Sequence, residues 1–153
     1  MNDDVSARRR AVPEAAGGTD GRPRRPGGAQ AETLVFGLHD LPGLREFVAA
    51  RARGAGIGED ALGDLLVAVN EVATNAVTHG GADARLRVWR TSGLFVIEVH
   101  DDGHWVPETP PGRTPPGDSA TSGMGLWVSS LLSEVIYFDH GPQGTTVTMG
   151  FRI

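Results

Sequence analysis

The stretch Asn70-Glu71-Val72-Ala73-Thr74-Asn75-Ala76-Val77-Thr78-His79-Gly80 decides how this chain is read. Glu71 and Asn75 stand about one helical turn apart, so on a helix both side chains leave the same face. A carboxylate and an amide placed together can hold a hydrated Mg²⁺ and orient a nucleophile. Leu66, Val69, Val72, Ala73, Ala76 and Val77 pack underneath. Asn70, Thr74 and Thr78 crowd the same stretch, although Asn and Thr are middling to poor helix formers. A helix shaped only for solubility would favour Glu, Lys or Arg, so these residues point to a function. A polar, solvent-facing stripe is the alternative.

Working outward, apolar residues at Leu62, Leu65, Leu66, Val69, Val72, Ala73 and Ala76 extend the helix from about Gly58 to His79. Gly80-Gly81 supplies its C-terminal stop. His79 is read as packing at the helix end. Upstream, Pro42 opens a shorter helix with Leu44, Phe47 and Val48, stopping near Gly54-Ala55-Gly56. Before it, Thr33 to His39 alternates as a strand, with Leu34, Phe36 and Leu38 on one side. Downstream, Arg85 to Thr91 and Leu94 to Asp101 read as strands joined by a Ser92-Gly93 turn.

Residues 103–122 carry Pro107, Pro110, Pro111, Pro115 and Pro116, a density that no helix or central strand survives. The segment is a long loop, of the kind used as a lid or binding loop. A short helix follows (Leu126, Trp127, Val128, Leu131, Leu132). Strands then run over Glu134 to Asp139 and Thr145 to Ile153, around a Gly141-Pro142-Gln143-Gly144 turn. The order β, α, α, β, β, loop, α, β, β predicts an α+β two-layer sandwich rather than a doubly wound fold. Its sheet has about five strands, mixed but mostly antiparallel, with three helices on one face.

With 153 residues the chain reads as one domain, large enough to bury a core. Residues 1–31 stand apart: they hold six of the fourteen arginines and little to bury, the composition of a disordered tail. The folded unit is therefore 32–153, with the tail either a solvated extension or a basic contact arm. No window reaches the roughly 18 apolar residues of a membrane span. The start lacks the apolar run of a secretory signal. With no cysteine, the chain has no disulfide or thiolate chemistry, which suits the cytoplasm. Every cation is an arginine, so a P-loop lysine and the strand lysine of a eukaryotic-type protein kinase are both missing. The net charge of −5 argues against nonspecific nucleic-acid binding by the whole chain.

Three further motifs accompany Glu71 and Asn75. Asp101-Asp102-Gly103 closes an apolar strand, where a carboxylate can accept from an adenine amino group and a glycine lets the backbone approach a flat base. Gly123-Met124-Gly125 precedes a helix, freeing N–H groups for phosphates. Gly144-Thr145-Thr146 opens the last strand and offers a hydroxyl. Singly, each has a plainer explanation: an acidic turn, a flexible loop end, and β-branched residues chosen for strand propensity.

As an ordered set, these motifs resemble the GHKL ATP-binding (Bergerat) fold, over about residues 33–153. Glu71-x-x-x-Asn75 is similar to its N box, Asp101-Asp102-Gly103 to the G1 box, Gly123-Met124-Gly125-Leu126 to the G2 box and Gly144-Thr145 to the closing threonine motif. The wording Asn-Glu-x-x-x-Asn-Ala-x-x-His-Gly resembles the bacterial anti-sigma factor serine/threonine kinase branch.

The resemblance implies ATP and Mg²⁺ as cofactors. Asn75 would ligate the metal, and Glu71 would act as general base. Asp101 would bind the adenine amino group, with Gly103 allowing the base close. Gly123, Met124, Gly125 and Leu126 would form the phosphate-binding lid hinge, and Thr145 would join the Asp101 network. The implied partners are a sigma factor and an anti-sigma antagonist protein. A homodimer is open, as is a non-catalytic nucleotide switch acting by protein binding. Two departures bear on this. Trp105 stands where the G1 box commonly has a second glycine, and Arg113 is the only cation of the 103–122 loop. No dimerisation-and-phosphoacceptor helix pair precedes the domain, unlike a complete sensor histidine kinase.

Overall fold

A computed structural model describes residues 22–23, 31–79, 83–91, 93–103, 129 and 131–153. The elements are β1 (Glu32–Phe36), α1 (Leu41–Ala55), α2 (Glu59–His79), β2 (Ala84–Thr91), β3 (Leu94–Asp101), β4 (Val135–Gly141) and β5 (Gly144–Arg152). The expected long loop and the G2 motif lie outside the described residues.

Local chemistry sets the boundaries. β1 stops at Phe36, short of His39, because the Asp40 carboxylate accepts the Gly37 N–H at 2.8 Å and draws Leu38–Asp40 into a 3-10 turn. α1 ends at Gly56, whose φ of +100° only glycine adopts cheaply. There the Gly56 N–H bonds the Arg53 carbonyl and the Ile57 N–H bonds Ala52, a Schellman closure. Arg53 then pairs with Glu59 across the α1–α2 junction, raising the arginine's pKa and lowering the glutamate's. Both groups are fully solvated, so the pair contributes little to stability.

The five strands form one sheet in the order β1-β2-β3-β5-β4. Every pairing among the described strands is antiparallel, so no parallel component of a mixed sheet is seen there. Register places Asp101 opposite Thr145 at one end of the β3–β5 pair. α1 and α2 cover one side of the sheet. Leu44 and Val48 from α1 and Leu65, Val69 and Val72 from α2 meet Leu86, Phe95, Ile97 and Met149 in a single core. The helical spacing read from Leu62 to Ala76 is the buried face of α2, with Leu66 half-buried at its margin. Ser129, Leu131 and Leu132 are helical, the described part of a third helix.

Strand alternation divides the sheet into two faces. Phe95, Ile97, Val99 and Asp101 face the helices, as do Thr145, Val147, Met149 and Phe151. Val96, Glu98 and His100 face the other way, as do Trp89, Thr146 and Thr148. No described helix covers this outer face.

Candidate functional site

Asp101 is the last residue of β3, on the sheet face that α1 and α2 cover. Its side chain is nearly lost to water, the residue being 3% exposed. A buried carboxylate is costly unless hydrogen bonds replace its water. The Gly103 N–H supplies one, reaching Asp101 Oδ1 at 2.8 Å and folding Asp101-Asp102-Gly103 into a side-chain-capped turn. Thr145, 1% exposed, donates its hydroxyl to the Gly103 carbonyl at 3.3 Å. Thr145 thus meets Asp101 by register and Gly103 by hydrogen bond. Two motifs more than forty residues apart in sequence form one rigid corner.

Asp102 diverges from Asp101, as strand alternation requires. Its carboxylate lies exposed, 3.4 Å from His100 Nε2, and His100 Nδ1 shares a 2.8 Å hydrogen bond with Thr146 Oγ1. The paired aspartates therefore have different surroundings: one is buried under the helices, the other stands in solvent beside a histidine.

Gly144 makes the corner possible. Its φ is +112°, and a Cβ there would fall 2.0 Å from the Asp101 carbonyl oxygen and 2.9 Å from Asp102 Cα, both backbone atoms with nowhere to go. Gly144→Ala combines left-handed strain with this clash, a cost of about 2 kcal/mol, or ~5–10 °C in Tm. Calorimetric melting of the variant beside the parent checks this.

Glu71 and Asn75 lie one turn apart on α2, each half-buried at the edge of its packed face. The Asn75 side-chain nitrogen Nδ2 is buried with no hydrogen-bond partner among the described residues. Such orphaned amides are rare in native proteins and call for an explanation. No bond from Nδ2 resists a half-turn of the amide, which exchanges its donor and its acceptor.

Ser129 and Ser133 were not marked by the sequence, being small polar residues in an apolar run. Ser129 donates to the Ala68 carbonyl at 3.1 Å, and Ser133 donates back to the Ser129 carbonyl at 2.7 Å. The helix following the Gly123-Met124-Gly125 motif is thereby fastened to α2 one turn before Glu71. Gly123, Met124, Gly125 and Leu126 themselves, with Trp105 and Arg113, lie outside the described residues. Among the described residues no group of three or more His, Asp or Glu side chains could hold a metal ion. None of the described helices is long and apolar enough to cross a membrane.

No curated protein matches the chain. The solved structure of the RsbU and RsbW domains of Rv1364c from Mycobacterium tuberculosis is similar at a TM-score of 0.56 and 20% identity. The match covers 79% of this chain but 32% of that one, so the chain spans about a third of that structure, and the likeness is one of fold. The family model described as the histidine kinase-like ATPase domain matches residues 37–151, a span containing α2, the 101–103 turn and Thr145. The chain belongs to the histidine kinase-like ATPase domain family.

Proposed function

We propose that the chain is an ATP–Mg²⁺-binding serine/threonine kinase of the anti-sigma type, which phosphorylates a serine on an anti-sigma antagonist and in its other partner state sequesters a sigma factor. Two observations support the nucleotide half: the buried Asp101–Gly103–Thr145 corner, and an Asn75 amide on α2 whose nitrogen is buried without a described partner. The corner offers a carboxylate for an adenine amino group, and the amide suits a phosphate oxygen through Nδ2 or a cation through Oδ1. Mg²⁺ keeps waters and leans on substrate phosphates, so a single protein ligand beside the phosphates is enough to hold it. When bound, Mg²⁺ would neutralise phosphate charge during transfer, with Asn75 as its protein ligand.

Glu71, one turn from Asn75, is placed to accept the proton of an incoming serine hydroxyl. The serine oxygen bonds the γ-phosphorus, the bond to the bridging oxygen breaks, and ADP leaves. Most of the catalysis is positioning and charge stabilisation. The partner class rests on the wording of the 70–80 stretch and on an RsbW domain among structures of similar fold. Trp105 and the lysine-free loop favour a second reading, a nucleotide switch without transfer.

Titration calorimetry of the full chain separates these. Saturable ATP binding that requires Mg²⁺ is expected, and an antagonist co-purified from the native cell should acquire the labelled γ-phosphate. Absence of binding at millimolar ATP overturns both readings. Binding without transfer leaves the switch.

A further inference from the structure

The outer face of the sheet has no described helix over it, yet a patch of it is dry. Trp89 on β2 is 3% exposed, Val96 on β3 is 0% exposed and Thr148 on β5 is 0% exposed. By register Trp89 and Val96 are paired neighbours, with Gly150 next on β5, so the buried patch is continuous across three strands. The Trp89 indole nitrogen Nε1 is buried with no acceptor among the described residues. A face of plain solvent would leave that N–H a water, whereas a polypeptide laid across it would offer carbonyl oxygens.

One described residue from before β1 shows where such a polypeptide touches. Arg22 Nη2 donates to Thr148 Oγ1 at 3.1 Å, and Arg22 Nη1 lies 3.6 Å from the Asp139 carboxylate on β4. Tyr137, between them on β4, has its hydroxyl pKa raised by burial, with the nearby Arg22 charge opposing the shift. Arg22 also walls a cleft of about 730 Å³ on the outer face, with Arg87, Glu98 and His100 on one side and Asp139 and the β4–β5 turn on the other, so it reaches from the edge strand β4 onto β5 and the cleft continues across β3 and β2.

Connectivity then constrains the path. Arg22 sits over β5 and β4, whereas β1 lies at the opposite edge of the sheet. Three inter-strand steps, about 14 Å, separate β1 from β5. The ten residues from Arg22 to Glu32 reach up to roughly 33–36 Å. Chain leaving Arg22 on the outer face therefore has length enough to return across β3 and β2 and enter β1. Glu32 pairs with Val88, so that entry falls beside Trp89.

We propose that the segment preceding β1 docks in cis on the outer face of the sheet, anchored by Arg22 to Thr148 and Asp139, and is the cover over Trp89 and Val96. The occupant is this chain's own N-terminal segment, not a second copy or another protein. The proposal is independent of nucleotide chemistry on the opposite face.

Acrylamide quenching of Trp89 fluorescence tests this, in a full chain where Trp105→Phe and Trp127→Phe leave one indole. Sedimentation at several protein concentrations accompanies it. The expected result is a monomer with protected Trp89, and a severalfold rise in quenching when residues 1–31 are deleted. Arg22→Ala, which leaves the sheet intact, moves quenching in the same direction, and Thr148→Val does so from the other side of the bond. Unchanged quenching in Arg22→Ala and in the deletion overturns the proposal. So does protection that tracks a concentration-dependent dimer, since a second copy would then be the cover. Should the deletion fail to fold, Arg22→Ala and Thr148→Val carry the same decision.

Discussion

Glu71→Ala lowers phosphoryl transfer to the antagonist by about 10²–10⁴-fold, the usual contribution of a positioned general base. ATP affinity stays within a few fold of wild type. The split is expected because Glu71 shares a helix face with Asn75 but belongs to no hydrogen bond of the Asp101–Gly103–Thr145 corner. Its neighbours Val72, Ala73 and Ala76 carry the packing of that turn, so truncating the half-buried side chain leaves the core intact. Labelled γ-phosphate transfer and calorimetric ATP binding are measured on the same preparation. Transfer at the wild-type rate would remove Glu71 from the mechanism. Loss of binding in step with transfer would instead make it part of the nucleotide pocket.

The second large effect belongs to Asp101→Asn. The amide is nearly isosteric with the carboxylate and its oxygen can still accept the Gly103 N–H, so the 101–103 turn persists. What changes is the other side of the group, where an acceptor becomes a donor and the charge disappears. A base presenting an amino group there meets a like donor. Losing one charge-assisted hydrogen bond corresponds to a fall of about 10- to 100-fold in ATP affinity. Inosine triphosphate presents a carbonyl oxygen in place of the amino group, so it should bind the parent weakly and the Asn variant, which can donate to that oxygen, no more weakly. If the Asn variant holds ATP as tightly as the parent, Asp101 does not read the base.

Much of this arrangement is legible in the sequence, for identifiable reasons. The α2 core face follows from spacing alone, because seven buried residues recur at the helical period. β2 and β3 follow from alternation and from a turn at Gly93, whose φ of +77° confirms a glycine position. The pairing of β3 with β5 does not follow, since strand order depends on how chain returns after the proline-rich stretch, and no local pattern encodes that. Nor does the contact of Thr145 with Gly103, which depends on the register that Gly144 permits. Alternation through Gly37 to His39 predicts a longer β1, whereas a single carboxylate at Asp40 turns the backbone sooner. Trp89 escaped notice because Val88 and Trp89 are both buried, one on each face, which breaks the one-sided pattern. Composition groups Arg22 with the other five arginines of residues 1–31, and only coordinates single it out.

The family match begins at Gly37, one residue beyond the end of β1. An expression boundary drawn there would discard an edge strand that pairs residue for residue with β2, from Glu32 opposite Val88 to Phe36 opposite Ala84. It would also discard Phe36, one of the largest fully buried side chains. The ladder groups of β2 would become an open rim beside exposed core, a template for pairing with other chains. Fragments trimmed to the shared family boundary are therefore expected to aggregate, and a start ahead of Arg22 keeps both β1 and the arginine that bonds Thr148.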